Sequence, residues 1–407
     1  MSKINATRTF SASSPLQKTL TVGLKMVADD TRIPTTLQAL TLRGVKDLEL
    51  TSDGLKADEK LKPDEVLVAP KKTGICGSDV HYLLHGKIGH FIVKKPMILG
   101  HESSAIVVRV GSDVKHLKKG DRVALEPGET CKTCEECRRG RYELCPNTIF
   151  AATPPFDGTL ATFYKLPADL AYKLPEHVSL EDGALIEPLA VAVQSAVRVG
   201  QVTGNQNVVI FGCGPVGLLS MATCKAFSAR RVIAIDVQQS RLDFAKSYAA
   251  TDIYLPTKPG KDEDPIDYAR RNAEEISKQL GITEGGAEAI DLILDCTGAP
   301  PCIQTAICLA RQGGTVVQVG MGSENVVLPV TTLLCKELVY KGSFRYGPGV
   351  YDLAIDLVSQ GKIDLKPLVT HRYKFKDAKK AFDAMIEGKG DDGKPPIKAL
   401  ISGPEDD

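Results

Sequence analysis

Cys131, Cys134, Cys137 and Cys145 form a C-x2-C-x2-C-x7-C run. Four thiolates so close in sequence can close a tetrahedron around Zn²⁺, and the short spacings let one loop wrap the ion. Lys132, Arg138, Arg139 and Arg141 share that loop and can offset the net negative charge of zinc bound by four thiolates. An iron–sulfur cluster is the chemical rival, since four cysteines serve both. With every position filled by sulfur, a zinc site of this kind is structural and leaves the reaction unspecified. A second candidate lies upstream. Cys76, in the stretch G-I-C-G-S-D-V-H-Y from Gly74 to Tyr82, and His101, in L-G-H-E from Leu99 to Glu102, are each flanked by glycine and each able to ligate zinc.

A third pattern points to a nucleotide. Val208 to Gly217 reads V-V-I-F-G-C-G-P-V-G, a G-x-G-x-x-G motif that follows an apolar strand and opens a helix. Gly212 permits the tight turn, Gly214 lets the backbone approach a pyrophosphate, and Gly217 lets helix and strand pack closely, with Val216 beside them. The helix N-terminus offers unpaired N–H groups to the phosphates. Asp236 ends the next strand, where a ribose-binding acid belongs, and its carboxylate favours NAD over NADP. Arg241 complicates that preference: it packs over the adenine, pairs with Asp236, or tolerates a 2′-phosphate. Cys296-Thr297-Gly298 and Val319-Gly320-Met321 end apolar strands, so Thr297, Val319, Gly320 and Met321 are expected to line the nicotinamide half.

The elements that must position these groups divide into two grammars. From about Leu37 to Pro188 short β-type runs such as Glu65–Val68, Ser104–Val110 and Arg122–Leu125 alternate with glycine turns. From about Leu189 strands and helices alternate, as in a parallel sheet covered on both faces. The expected strands there are Asn207–Phe211, Arg231–Asp236, Ile290–Cys296 and Thr315–Val319; a helix over Ser240–Tyr248 is capped by Ser240. The chain has 407 residues, 51 Lys+Arg against 50 Asp+Glu, and a formal charge of +1. That balance argues against a nucleic-acid partner, and no apolar run is long enough for a membrane span. Eleven cysteines in a chain of this size point to metal or redox chemistry rather than disulfides. Cys213, Cys224, Cys296, Cys302, Cys308 and Cys335 are left over as ordinary buried thiols. Met1 to Ala28 are basic, hydroxyl-rich and acid-free, so residues 1–35 fit a disordered or strand-adding extension and, less well, a mitochondrial transit peptide; a cytoplasmic location is expected.

The order of a Gly-rich cysteine turn, a G-H-E turn, a four-cysteine lobe and a Rossmann unit resembles the zinc-dependent medium-chain dehydrogenases over about Leu37 to Gly403. The segments CGSDVHY, KKPMILGHESS, FAATPPFDGTL, ALIEPLAVAV and GSFRYGPG are similar to the polyol branch, the sorbitol and xylitol dehydrogenases, and most of all to its fungal xylitol-oxidising members. The resemblance implies an α/β chain. Its discontinuous, β-rich, GroES-like catalytic domain spans 36–189 and 346–407, and a Rossmann domain is inserted at 190–345. It implies two Zn²⁺ per chain, with the catalytic ion on Cys76, His101 and Glu102 and a water as fourth ligand. Glu187 either bonds that water and the substrate or exchanges with it as ligand.

His101 and Glu102 raise a difficulty, because adjacent residues on a straight strand face opposite ways; Gly100 makes the required bend feasible. By resemblance, Ser78 and His81 form a proton relay. Tyr82, Glu187, Arg345 and Tyr346 surround the substrate hydroxyls, with Phe150 as an apolar wall. Phe344 and Arg345 alternatively serve the cofactor. The implied reaction is NAD-dependent oxidation of a secondary alcohol, xylitol to D-xylulose, with sorbitol, L-arabinitol or L-threonine as other substrates of the superfamily. A homodimer or homotetramer is typical. A dinucleotide-binding redox sensor without turnover would keep the glycines and Asp236 but would not need Cys76, His101, Glu102 and Ser78 together.

Overall fold

The computed structural model describes residues 35–404, so all but the last residue of the basic N-terminal segment lies outside the described residues. Among these, no helix is long and apolar enough to cross a membrane. Two sheets carry the site. The first is largely antiparallel and runs Ala171–Lys173, Arg122–Leu125, Glu102–Val110, Glu65–Gly74, Lys398–Ser402, Val369–Tyr373. Its two C-terminal strands complete a sheet begun some 300 residues earlier: Leu400 pairs with Gly74 and Ile401 with Thr73. Lys398 is thereby delivered to the region of Cys76.

The second sheet has six parallel strands in the order Asp252–Tyr254, Arg231–Ile235, Asn207–Phe211, Leu292–Asp295, Thr315–Gln318, Val339–Gly342. This is the doubly wound order, with the chain reversing direction beside Asn207–Phe211. Those five residues, like Leu292–Asp295, are wholly buried, as strands covered on both faces must be.

Several expectations shift. The second helix of the nucleotide unit spans Gln239–Tyr248 behind Gln238, so Ser240 lies inside it and caps nothing. Gly77–His85 is a helix, not part of a β-rich run. Its inward residues Asp79, Tyr82 and Leu83 are buried at the spacing of one helical face. Leu180–Ala184 and Ile186–Val193 are also helical, and the latter continues as a π-turn over Gln194–Val199. The expected division at 189/190 therefore falls within a continuous helical run. That run is buried because its apolar residues join the first sheet and the helices of the second in one core, from Ile106 and Leu185 to Leu218 and Tyr351. Of the six remaining cysteines expected to be buried, only Cys213 and Cys224 are; Cys296, Cys302 and Cys308 are half-buried, and Cys335 is exposed at the end of Val330–Cys335.

Candidate active site and metal centres

Cys76 stands at the N-cap of Gly77–His85, where the chain leaves the strand Glu65–Gly74. Asp79, fully buried, accepts from the backbone N–H of Cys76 (3.2 Å) and of Gly100 (3.1 Å), and lies 3.6 Å from His101 Nδ1. One carboxylate thus ties the cysteine turn to the histidine turn. Gly100 has φ +91°, and a Cβ there would stand 2.7 Å from Leu160 Cγ, so only glycine fits. The bend it makes lets His101 and Glu102 face the same way. Gly74 is required for a related reason: a Cβ on it would collide with Glu102 Oε2.

The result is a donor set. One thiolate sulfur, one imidazole nitrogen and one carboxylate oxygen, from Cys76, His101 and Glu102, lie within 4.8 Å of one another. His101 Nδ1 is buried without a hydrogen-bond partner. Burial works against a charged His101, but Asp79 and Cys76 outweigh it and draw positive charge onto the ring. These residues fit a single Zn²⁺ with an open position. Lys398 Nζ donates to both Glu102 oxygens (2.8 and 2.6 Å) and to the Ile75 carbonyl (3.1 Å), so any metal shares Glu102 with a buried cation.

Glu187 is not a member of the donor set. It sits on Ile186–Val193, buried, and its Oε1 accepts from the Tyr346 hydroxyl at 2.9 Å. Burial pushes its carboxyl up to about 7, aided by Glu102 and opposed by His101 and Tyr346. Phe150 links the groups: its ring lies 5.9 Å from His101, and the Arg345 guanidinium stands over it 4.1 Å from the centroid. Tyr82 is buried within hydrogen-bond reach of Thr153. Ser78 is half-buried on the first turn of its helix, and His81 is exposed one turn later.

The four-cysteine loop is compact in its own way. Its four sulfurs also lie within 4.8 Å of one another, and those of Cys131 and Cys145 are 3.6 Å apart, near the ~3.8 Å edge of a tetrahedron with 2.3 Å zinc–sulfur bonds. A cluster of several irons would hold its thiolates farther apart, so the arrangement fits one zinc better. Backbone N–H groups of Cys131, Cys134 and Cys137 point at neighbouring sulfurs at 3.3–3.5 Å.

At the parallel sheet, Gly212 has φ +93°, and a Cβ on Gly217 would collide with the Gly212 carbonyl oxygen. A Cβ on Gly214 would meet nothing within 4 Å, an open face suited to a phosphate. Asp236 is buried and accepts from Cys213 N (2.8 Å) and Gln238 N (2.9 Å), so it braces the glycine turn. Arg241 is exposed, and among the described residues it forms no ion pair with Asp236. Val216, Thr297, Val319 and Gly320 are half-buried around the strand ends, while Met321 and Phe344 are exposed.

Residues 62–176 match the alcohol dehydrogenase GroES-like domain, and residues 215–360 match the zinc-binding dehydrogenase family. D-xylulose reductase A of Aspergillus niger is 50% identical over 341 residues, covering 84% of this chain and 90% of that one. The chain belongs to the zinc-dependent medium-chain dehydrogenases. The crystal structure of galactitol-1-phosphate dehydrogenase from Escherichia coli superposes on this dehydrogenase with a TM-score of 0.76 at 27% identity, covering 90% of this chain and 99% of that one. An E. coli alcohol dehydrogenase complexed with NADH gives 0.77 at 26% identity, again over 90% and 99%.

Sequence reasoning about the dehydrogenase missed four residues. Asp79, Lys398 and Thr153 are described above. The fourth is Asp295, fully buried, which accepts from Thr297 N and Oγ1, Gly298 N and Gln318 Nε2 and so fixes the two strand ends expected to face the nicotinamide. Only Asp295 carried a local signal, an acid closing an apolar strand directly before C-T-G.

Proposed function

We propose that this dehydrogenase oxidises xylitol to D-xylulose with NAD⁺, and reduces D-xylulose in the reverse direction. The observation that carries this reading is the 50% identity to D-xylulose reductase A across most of both chains. The site chemistry supports it. Tyr82, Glu187, Arg345 and Tyr346, with Phe150 beside Arg345, would offer several hydrogen-bonding groups, which a polyol satisfies and a simple alcohol leaves unpaired.

Cys76, His101 and Glu102 would hold the catalytic zinc, and Cys131, Cys134, Cys137 and Cys145 a structural one, giving two per chain. The catalytic ion, when bound, supplies Lewis acidity that makes a substrate hydroxyl acidic. Nicotinamide supplies the hydride acceptor. The chain's own residues do the rest. Asp79 orients His101 and the cysteine turn together. Glu187, kept near neutrality by burial and oriented by Tyr346, accepts from or donates to a substrate hydroxyl. Ser78 accepts the hydroxyl proton as it gives up its own toward His81, and His81, on the same helix, releases a proton to solvent. Gly212, Gly214, Val216 and Gly217 bind the pyrophosphate, and Asp236 with Arg241 binds the adenosine ribose. Thr297, Val319, Gly320, Met321, Phe344 and Arg345 border the nicotinamide.

The catalytic domain is taken as 36–189 with 346–407 and the NAD domain as 190–345. Val330 and Leu334 on the helix Val330–Cys335 and Val339 on the edge strand Val339–Gly342 that follows it are exposed, which supports a homo-oligomer formed through that edge.

The test is NADH formation with xylitol, sorbitol, L-arabinitol, ethanol and L-threonine, before and after chelator treatment. Xylitol should give the highest kcat/KM, and chelation should abolish turnover. Preference for ethanol or threonine, or full polyol turnover in the chelated enzyme, defeats the reading.

A further inference from the structure

We propose that His81 and His85 form a surface site for a divalent transition-metal ion, zinc being the probe chosen below, and that filling it inhibits the enzyme. Both residues are exposed on the helix Gly77–His85, four positions apart, with ring centroids 4.9 Å from each other and planes inclined at 53°. Residues at i and i+4 project from the same helical face, the spacing that lets two histidines of one helix grip a single zinc. The platform beneath is fixed. Asp79, Tyr82 and Leu83 are buried on the inner face of the helix, and Gly86 closes its end with an N–H to the Tyr82 carbonyl at 2.9 Å. Two imidazoles carried on one anchored helix lose less freedom on chelation than ligands brought from separate loops. Neutral imidazole prefers zinc, nickel and copper over magnesium and calcium, and water completes the coordination.

This site is separate from the donor set of Cys76, His101 and Glu102 and from the four-cysteine lobe, neither of which contains His81 or His85. It shares a helix with the first, however. Inhibition follows because a histidine that coordinates a metal through one ring nitrogen can no longer pick up and release a proton there. That consequence rests on the proposed role of His81 as the outer member of the relay; metal binding itself does not.

The experiment uses enzyme loaded with zinc and freed of loosely held metal by gel filtration. Zinc chloride is titrated in, binding is followed by calorimetry, and the initial rate of polyol oxidation is measured in parallel. The parent should bind one further, weaker zinc per chain, with the rate falling as that site fills. His85→Asn, which lies outside the proposed machinery, should keep the parental rate without added zinc. It should also need at least ~10-fold more zinc for both binding and inhibition, having lost one of two ligands. Equal titrations of parent and variant overturn the proposal. A site that is lost in His85→Asn but whose filling leaves the rate unchanged overturns the inhibition, and places the failure in the relay role of His81 rather than in the chelating pair.

Discussion

The two sulfur-bearing donor sets of this chain each gather their ligand atoms within 4.8 Å of one another, yet they are built in opposite ways. The four-cysteine set lies within a single loop from Cys131 to Cys145, and much of it is half-exposed. Its sulfurs receive N–H groups from residues of the same loop. The other set joins residues on two separate turns, with buried His101 and Glu102, and depends on Lys398 from a strand nearly 300 residues away. A contiguous loop can hold a closed ion almost by itself. An open, reactive position needs walls and charges from several elements, because the loop that supplies the ligands cannot also shape the substrate pocket.

The largest expected effect comes from the assembled set. Cys76→Ser should remove one zinc per chain and lower kcat by at least ~10³-fold, while the melting temperature moves little. Zinc analysis, steady-state rates and a thermal melt decide it; parental activity in this variant would erase the distinction between the two sets. The contiguous set should behave conversely. Cys134→Ser should also cost one zinc, but the damage should appear as about 3–5 kcal/mol of lost stability, with kcat of the folded fraction nearly retained. If its kcat collapses while the protein stays folded, the lobe takes part in the chemistry and the comparison fails.

The smallest effect tests how the lobe is joined to the substrate side. Tyr142 of the lobe and Tyr172 both donate to buried Glu126, at 2.7 and 2.8 Å. Tyr172 stacks on Tyr351, which meets Tyr346 edge-on. Burial pushes the Glu126 carboxyl up from 4.5 to about 7 despite those hydrogen bonds. The native state therefore keeps a proton that the unfolded chain releases. Its contribution is fully present below about pH 4.5 and is lost as pH rises through about 7. Glu126→Gln cannot ionise and should lack that loss. Unfolding free energies of the two proteins from pH 4.5 to 8 should diverge with rising pH; parallel curves would show that the junction carries no ionisation.

Particular residues show what could be read from the chain. The cysteine spacing, the glycine motif with Asp236, and the G-H-E turn were all legible, because each depends on neighbours within a few positions. The bend at Gly100 was foreseeable as a possibility, and the structure shows why glycine is obligatory there: Leu160 fills the space a side chain would need. The helix Gly77–His85 was not legible, since its opening G-S-D and its histidines read equally well as turn and strand. The helical run from Ile186 to Val199 was hidden for another reason. Its first eight residues, Ile186–Val193, carry a single polar side chain, Glu187, so they read as a buried apolar run of either kind.

By itself, then, the sequence determined the local chemistry: a thiolate tetrahedron, a phosphate-binding turn, and a cysteine and a histidine each beside the glycines that let the backbone bend. Only the tertiary structure decided which carboxylate joins them. Glu102 lies with Cys76 and His101 while Glu187 accepts from Tyr346, and the strand pairing of Lys398–Ser402 with Glu65–Gly74 puts a buried ammonium on Glu102. That choice is a matter of charge placed across distant strands at low dielectric, and no spacing along the chain encodes it.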